Sequence, residues 1–380
     1  MAGFGRSAEA FLLLAGTIVG VGMFGIPFVF AQAGFLIGVI ELLLVAAAVA
    51  VVHLAYAEVV LRTEEVHRLP GYVARYLPSC TWASRLSYLF GLSGALLAYI
   101  VVGGFFLGEL FHVLVPSIPA AIGPAVFYLI GMAVISGSIR LGGLLNGILT
   151  IGLVAATLVL VGMLASKVSA ASLETWYPAR AIAPYGVLLF AMAGMAVIPD
   201  ARRLLGSSGG GRLGRLVLFG TAGAAVLYFL FALGVVGATG ATTTPDAISG
   251  LAARFGSEYF LVGGLIGFLA AITSFIGLGI VFEGMLSSDF GLRPVLATIL
   301  TATIPAVLYA LGMHDFIRII GLVGAVAIGF DSMLVLVLHR RAVRHGSREP
   351  EYRLRIPVLI RWALILLFGL GVAVEVARLF

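Results

Sequence analysis

The chain has 380 residues, of which 61% are hydrophobic and 11% are charged, and its formal net charge is +6. This composition excludes an ordinary soluble domain, which carries roughly twice as much charge and could not bury so much apolar surface in one core. Long apolar stretches recur from end to end, whereas a membrane barrel would show short alternating segments. Each stretch can cross a hydrocarbon layer of about 30 Å as a helix, so the sequence predicts an all-α membrane protein.

In chain order, the apolar pattern predicts eleven membrane-spanning helices. Their predicted ranges are 8–32, 35–61, 85–114, 121–139, 143–165, 184–203, 214–238, 258–287, 293–312, 316–338 and 357–378. The first range continues past Pro27 without a small-residue cleavage pattern and has no sizeable basic region before it. We therefore interpret it as a helix of the protein rather than as a cleaved signal peptide.

The basic residues predict how the helices are oriented. With the N-terminus in the cytoplasm and the C-terminus outside, most arginines fall on the cytoplasmic side, most densely over 340–361. The basic residues left outside or near a span end are few: Lys167, Arg180, Arg254, Arg318 and Arg378. This asymmetry follows the positive-inside rule and explains the net charge without a nucleic-acid partner. We expect a multi-pass protein of the inner (cell) membrane.

Two Gly- and Pro-containing segments resemble each other. GTIVGVGMFGIP lies at 16–27 in the first span and AMAGMAVIP at 191–199 in the sixth. Five spans separate them, so they run in opposite directions, as in transporters built from inverted repeats with the site at interrupted helices. We predict one repeat over 1–166 and a second over 167–339, followed by a basic cytoplasmic loop and a last helix over 340–380. The glycines could instead form a close helix-packing face.

An interrupted helix exposes backbone groups that can bind a ligand. The first span would present free N–H groups to an anionic carboxylate at the start of its outer half. The sixth span would present carbonyl groups to an ammonium group at the end of its outer half. Such backbone is tolerated at membrane depth where it lines a cavity, so the two breaks together suit a zwitterion.

Four stretches carry a resemblance to a known family. They are GTIVGVGMFGIPF at 16–28, HLAYAEVVLRT at 53–63, TPDAISGLAARFG at 244–256 and AAITSFIGLGIVFEGM at 270–285. At these residues the sequence resembles the amino acid/auxin permease family and its bacterial aromatic amino acid permease relatives, within the amino acid–polyamine–organocation superfamily. The resemblance covers most of the chain and implies the leucine-transporter fold, with five plus five inverted helices and one more.

The resemblance also implies a substrate site at the two breaks. The backbone at Gly20 to Gly22 would receive the substrate carboxylate, and the segment from Phe190 would face the ammonium group and the side chain. Tyr99 would close the site, or it could be an ordinary packed tyrosine. The substrate-site residues assigned in this way are Thr17, Gly20, Val21, Gly22, Tyr99, Phe190, Ala191, Met192, Ala193 and Gly194.

The segment TPDAISGL at 244–251 predicts a short helix at the outer face. Thr244 can cap a helix, Pro245 suits its first turn, and Asp246 favours its positive end. We interpret this segment as a lid, with an ordered loop as the alternative.

Adjacent hydroxyls in the eighth span raise the question of a coupling ion. The resemblance implies that Thr273 and Ser274 meet the carbonyls of Gly16 and Val19 to hold one sodium ion, although such hydroxyls often bond to their own helix. Oxygen ligands without a full negative charge suit weak binding of a monovalent cation. Proton coupling is the alternative, and buried acids in spans are its candidates. The main ones are Glu41 and Asp331, whereas His53 and Glu58 are expected near the cytoplasmic interface.

The residue types also limit the substrate and the class of protein. Acids and arginines are absent from the midpoints of spans 1, 3 and 6, which favours a neutral amino acid because an unpaired buried charge is costly. Small residues there leave room for a large or aromatic side chain. No motif for hydrolysis or phosphate binding occurs, so we expect no enzyme and no cofactor besides the coupling ion. A channel or a non-transporting receptor is the alternative from another class.

Overall fold

A computed structural model of the chain describes residues 5–136, 139–206 and 209–378, with the backbone alone over 139–146. All regular elements in these ranges are helical, which confirms the predicted fold class. The helices are α1 Arg6–Ile18, α2 Gly22–Ala33, α3 Phe35–Leu61, α4 Leu69–Tyr76, α5 Thr81–Leu114, α6 Gly123–Ile135, α7 Ile139–Leu164, α8 Ala170–Leu173, α9 Pro184–Ala191, α10 Ile198–Leu205, α11 Gly210–Thr239, α12 Ser249–Phe255, α13 Ser257–Ser288, α14 Pro294–Ala310, α15 Phe316–Leu322, α16 Gly329–His345 and α17 Val358–Ala377.

The predicted spans match helical segments in position, but their lengths differ. Within the described ranges, eight segments are long and apolar enough to cross a membrane, and the bent pair α1 and α2 would form a ninth. Ala120–Ile135 and α14 are apolar but shorter. At 1.5 Å per residue, the 17 residues of α14 span roughly 25 Å, less than a typical hydrocarbon layer. The number of crossings and the division into repeats therefore stay predictions.

The interrupted helices lie at the centre of the bundle. The α1–α2 pair packs against α3, α7, α9, α10, α11 and α13. The last helix, α17, is peripheral: it buries Phe368 and Gly371 and exposes large apolar side chains such as Leu359, Leu366 and Leu370. Apolar side chains that point away from the bundle fit a lipid environment, so the centre is the part shielded from it.

A π-helical segment, Val323–Ile328, joins α15 to α16 and touches α9 closely. A Cβ atom added at Gly324 would lie 1.9 Å from the carbonyl oxygen of Gly186 and 2.8 Å from the nitrogen of Phe190. Single turns of π-helix are often found at functional sites. Here the segment brings the tenth predicted span against the half-helix that leads into the second break.

A buried acid at the end of α3 fixes the segment before α17. Glu58 is fully buried and accepts hydrogen bonds from the Nε atom of Arg62 at 2.8 Å and the backbone nitrogen of Leu354 at 2.6 Å. The oxygen that accepts from Leu354, Oε2, also lies 2.9 Å from the Nε2 atom of His339. The chain between α16 and α17 is therefore tied to α3 and is not an independent loop.

The predicted lid helix begins later than expected. α12 starts at Ser249, whose backbone nitrogen and hydroxyl both donate to the Asp246 carboxylate at 2.7 Å. The hydroxyl of Thr244 accepts from the nitrogen of Gly250, and Ala247 has a φ of +63°. The prediction that Pro245 lies in the first turn is wrong, because the Asp246 side chain stabilises a turn before the helix.

The contact between Gly324 and Gly186 predicts a strong effect of a small change. We expect Gly324→Ala to lower the apparent melting temperature in detergent, because overpacking against backbone atoms costs about 1–3 kcal/mol or more. Gly223→Ala is the matched control, since an added Cβ there meets no atom within 4 Å and alanine favours a helix interior. Equal melting temperatures for the two variants would contradict the close approach.

Candidate functional site

The first helix break lies between α1 and α2, which are bent by 43°. Val19 leaves the helical conformation, and the next N–H, that of Gly20, donates to the Ile18 carbonyl at 2.8 Å. A Cβ atom at Gly20 would lie 2.6 Å from the hydroxyl of Ser274. Glycine is therefore required here so that the backbone can approach α13. At the start of α2, the N–H of Met23 donates to the Gly20 carbonyl at 3.3 Å and the N–H of Phe24 donates to the Val21 carbonyl at 3.0 Å. Residues of the break therefore supply the partners that a helix start lacks within its own helix.

The second break lies between α9 and α10. Met192 continues α9 as a turn, Ala193 and Gly194 are irregular, and a 3₁₀ turn at Met195–Val197 leads into α10. The two breaks touch, since a Cβ atom at Gly22 would lie 2.6 Å from the Cα atom of Ala191. Both predicted interruptions are therefore present, and they are neighbours in space.

Tyr228, on α11, contacts the ends of both first half-helices. Its hydroxyl oxygen lies 2.5 Å from the carbonyl oxygen of Ile18 and 2.9 Å from that of Ala191. The hydroxyl has one hydrogen, so the two carbonyls share it, and the Ile18 carbonyl also accepts from the Gly20 N–H at 2.8 Å. One weak signal for this role is present in the sequence, because a tyrosine inside an apolar span needs a hydrogen-bond partner.

His53 contacts the second break and is buried. Its Nε2 atom lies 3.3 Å from the backbone nitrogen of Gly194, and its Nδ1 atom lies 3.0 Å from the hydroxyl of Thr221. Because the Gly194 N–H is a donor, Nε2 accepts and Nδ1 carries the hydrogen, so the ring is neutral. Thr221 in turn donates to the Val217 carbonyl at 2.9 Å. His53 therefore contacts the interrupted segment, a contact that sequence reasoning did not assign to it.

A cavity of about 70 Å³ lies beside the two breaks. Eight of the ten predicted substrate-site residues line it: Thr17, Gly20, Gly22, Tyr99, Phe190, Ala191, Ala193 and Gly194. Val21 and Met192 belong to the breaks, but they are fully buried and are not part of the cavity wall. The wall also includes residues that sequence reasoning did not assign, mainly from α3, α5 and α16: Val49, Val52, His53, Tyr88, Gly91, Leu92, Ala95, Ala327, Asp331 and Ser332.

Of the four predicted sodium ligands, Ser274 and Gly16 are in contact, whereas the Thr273 hydroxyl bonds to its own helix. The Ser274 hydroxyl lies 3.2 Å from the carbonyl oxygen of Gly16, so α13 and the end of α1 meet at this point. The Thr273 hydroxyl instead lies 2.8 Å from the carbonyl of Leu269 in its own helix. Val19 is buried in the break itself. The local bond of Thr273 is the alternative that a membrane hydroxyl commonly adopts.

The two acids considered for proton coupling differ in position. Asp331 is 4% exposed and lines the cavity, and one of its carboxylate oxygens has no hydrogen-bond partner. Glu41 is partly exposed on α3 and is not part of the cavity wall. Spans 1, 3 and 6 supply no acid to the wall, as expected, but the tenth predicted span does. The cavity is therefore not free of ionisable groups.

Comparison with known proteins gives one family and one fold. The family model for the tryptophan/tyrosine permease family matches residues 6–376. The solved structure of MhsT in complex with L-phenylalanine matches with a TM-score of 0.63 and 16% identity, over 98% of each chain. At this identity the likeness shows the fold alone, which is the predicted leucine-transporter fold. No curated protein sequence matches the chain.

The family match and the fold match support part of the predicted resemblance to amino acid permeases. An amino acid permease with this fold is confirmed, while the assignment to the amino acid/auxin family stays a prediction. A permease family and a transporter neighbour agree with the expectation that the protein is not an enzyme. The matched range covers nearly the whole chain, and the chain therefore belongs to the tryptophan/tyrosine permease family of amino acid transporters.

Proposed function

We propose that this protein imports a large neutral amino acid, tryptophan or tyrosine first of all, together with one cation. The cell membrane would hold it with the N-terminus in the cytoplasm and the C-terminus outside. The observation that carries the proposal is the pair of touching helix breaks beside a cavity lined by Tyr99 and Phe190. Transport would proceed by alternating access around this cavity.

The breaks offer complementary groups to a zwitterion. The start of α2 supplies N–H groups and the positive end of a helix dipole, which favour a carboxylate. The ends of α1 and α9 supply the carbonyls of Ile18 and Ala191, which favour an ammonium group. Both carbonyls are within hydrogen-bond distance of the Tyr228 hydroxyl, so the substrate would share or replace that donor.

The side chain of the substrate would enter a slot between small residues. Gly91 on α5 and Ala327 in the π-helical segment face each other, since a Cβ atom at Gly91 would lie 3.1 Å from that of Ala327. The present cavity of about 70 Å³ has room for only a few water molecules, each of which takes about 30 Å³ in the liquid. An aromatic amino acid therefore requires the two helices to separate, as expected for a protein that opens and closes around its substrate.

Sodium is the proposed coupling ion. The contact between Ser274 and the Gly16 carbonyl supports it, because it brings a neutral oxygen from α13 to the carbonyl end of α1. One cation moving through about 100 mV releases roughly 2.3 kcal/mol, and a tenfold gradient adds about 1.4 kcal/mol. Together they would allow roughly 500-fold accumulation. Proton coupling is the second candidate, and the position of Asp331 on the cavity wall favours it.

Uptake by the purified protein in liposomes tests the proposed function. We expect radiolabelled tryptophan or tyrosine to accumulate when an inward sodium gradient is imposed, and not in protein-free liposomes. Accumulation driven by a proton gradient alone would show that the coupling ion is the proton and not sodium. Flux that ignores every ion gradient would indicate a channel, and binding without flux would indicate a receptor.

Removal of the Ser274 hydroxyl should weaken sodium binding. We expect Ser274→Ala to raise the sodium concentration for half-maximal uptake about tenfold or more, because one oxygen ligand is lost. Ser288→Ala is the matched control on the same helix, since Ser288 is exposed and bonds within α13. An unchanged sodium dependence in Ser274→Ala would remove Ser274 from the ion site.

Removal of the Tyr228 hydroxyl should lower substrate affinity in a protein that still folds. We expect Tyr228→Phe to lower the affinity for substrate about tenfold, because two helix-end carbonyls lose the donor that holds them together. Tyr177→Phe is the control, since Tyr177 is 48% exposed and far from the cavity wall. Substrate binding should be measured together with the melting temperature. Normal affinity in a normally folded Tyr228→Phe protein would contradict this role.

A further inference from the structure

Two buried polar groups at one part of the cavity wall lack a hydrogen-bond partner. They are the Oδ1 atom of Asp331, on α16, and the hydroxyl of Tyr88, on α5. Each residue is 4% exposed, and both line the same cavity as the helix breaks. Buried polar groups in native proteins are nearly always bonded, so an unpaired pair that faces a cavity points to a ligand.

The pair shares one cavity with the two helix breaks. Val323 packs against Gly94 near the second break, since a Cβ atom at Gly94 would lie 2.4 Å from the Val323 side chain. Asp331 follows eight residues later, which is roughly 12 Å along the helix axis. Because the pair and the breaks line one cavity, a substrate whose charged groups are held at the breaks would present its side chain to the pair.

The chemistry of the pair selects among aromatic side chains. A phenol hydroxyl can donate to the Asp331 carboxylate and accept from the Tyr88 hydroxyl, so it satisfies both groups at once. An indole N–H can donate to Asp331 and leaves Tyr88 without a partner. A phenyl ring does neither and would leave both groups buried and unpaired.

We propose that Asp331 and Tyr88 form a subsite for the polar tip of an aromatic substrate, and that this subsite selects tyrosine and tryptophan over phenylalanine. The inference rests on the proposed function, because it requires the cavity to bind an aromatic amino acid. It gives Asp331 a role in recognition that does not depend on which ion drives transport. The apolar wall around the pair, with Leu92 and Ile328, fits an aromatic ring better than a cationic side chain.

Equilibrium binding to the purified full-length protein tests the subsite without reference to ion coupling. Labelled tryptophan would be displaced by unlabelled tyrosine, tryptophan, phenylalanine and lysine. We expect tyrosine to bind the unaltered protein at least tenfold more tightly than phenylalanine, because a site built to bond a hydroxyl rejects the analogue that lacks it.

Two variants assign the selectivity to the two residues. Tyr88→Phe should weaken tyrosine about tenfold and leave tryptophan and phenylalanine unchanged, since only the phenol oxygen uses the Tyr88 donor. Asp331→Leu should weaken both tyrosine and tryptophan and spare phenylalanine. Tyr177→Phe, at an exposed tyrosine, is the control and should bind all ligands as the unaltered protein does.

The outcomes separate this inference from the proposed function. Equal affinities for tyrosine and phenylalanine in the unaltered protein, or the same ratio in Tyr88→Phe, would overturn the subsite while amino acid binding remains. Tightest binding of lysine would overturn it too, since the carboxylate would then serve a cation. If no amino acid binds the unaltered protein, the proposed function fails. If Asp331→Leu does not fold, the ratio of the tyrosine and phenylalanine affinities in Tyr88→Phe is sufficient to test the subsite.

Discussion

Backbone groups that a helix leaves unpaired inside a membrane have no water to bond to, and each must find a partner in the protein. In this chain two side chains provide partners at the helix breaks. The Tyr228 hydroxyl serves the carbonyls of Ile18 and Ala191, and the His53 ring accepts the N–H of Gly194. Because each side chain comes from a neighbouring helix, the bonds that make the breaks tolerable also fix where the breaks lie.

The same constraint would make the breaks a binding site under the proposed function. A zwitterion brings three N–H bonds and two carboxylate oxygens, so it can satisfy the helix ends that Tyr228 and His53 otherwise serve. Binding at the breaks would therefore be an exchange of partners, in which the free energy of the new bonds is offset by that of the bonds given up. Such an exchange allows a transporter to release its substrate, since the empty site keeps its backbone groups bonded.

The sequence predicted the breaks well and the cavity wall poorly, for one physical reason. A Gly- and Pro-rich interruption is a local property, so the motifs at 16–27 and 191–199 located both breaks. Which face of a span points inward is a tertiary property, and helices that are apolar all round, such as α3 and α11, show no face to read. His53 and Tyr228 were missed for this reason. The start of α12 was misplaced because the Asp246 side chain competes with the helix for backbone N–H groups.

The positions of Ser274 and Asp331 indicate how either cation would act on the substrate. Ser274 contacts the carbonyl of Gly16 and lies beside Gly20, so a sodium ion there would draw on the same helix end that faces the substrate ammonium group. Asp331 is on α16 and is not bonded to the carbonyl ends of α1 and α9, so it would affect the substrate through its side chain or through the space around it. A cation that changes the backbone of the break itself couples to every amino acid, whatever its side chain. This generality is the physical reason to prefer the Ser274 site for coupling and to assign Asp331 to recognition.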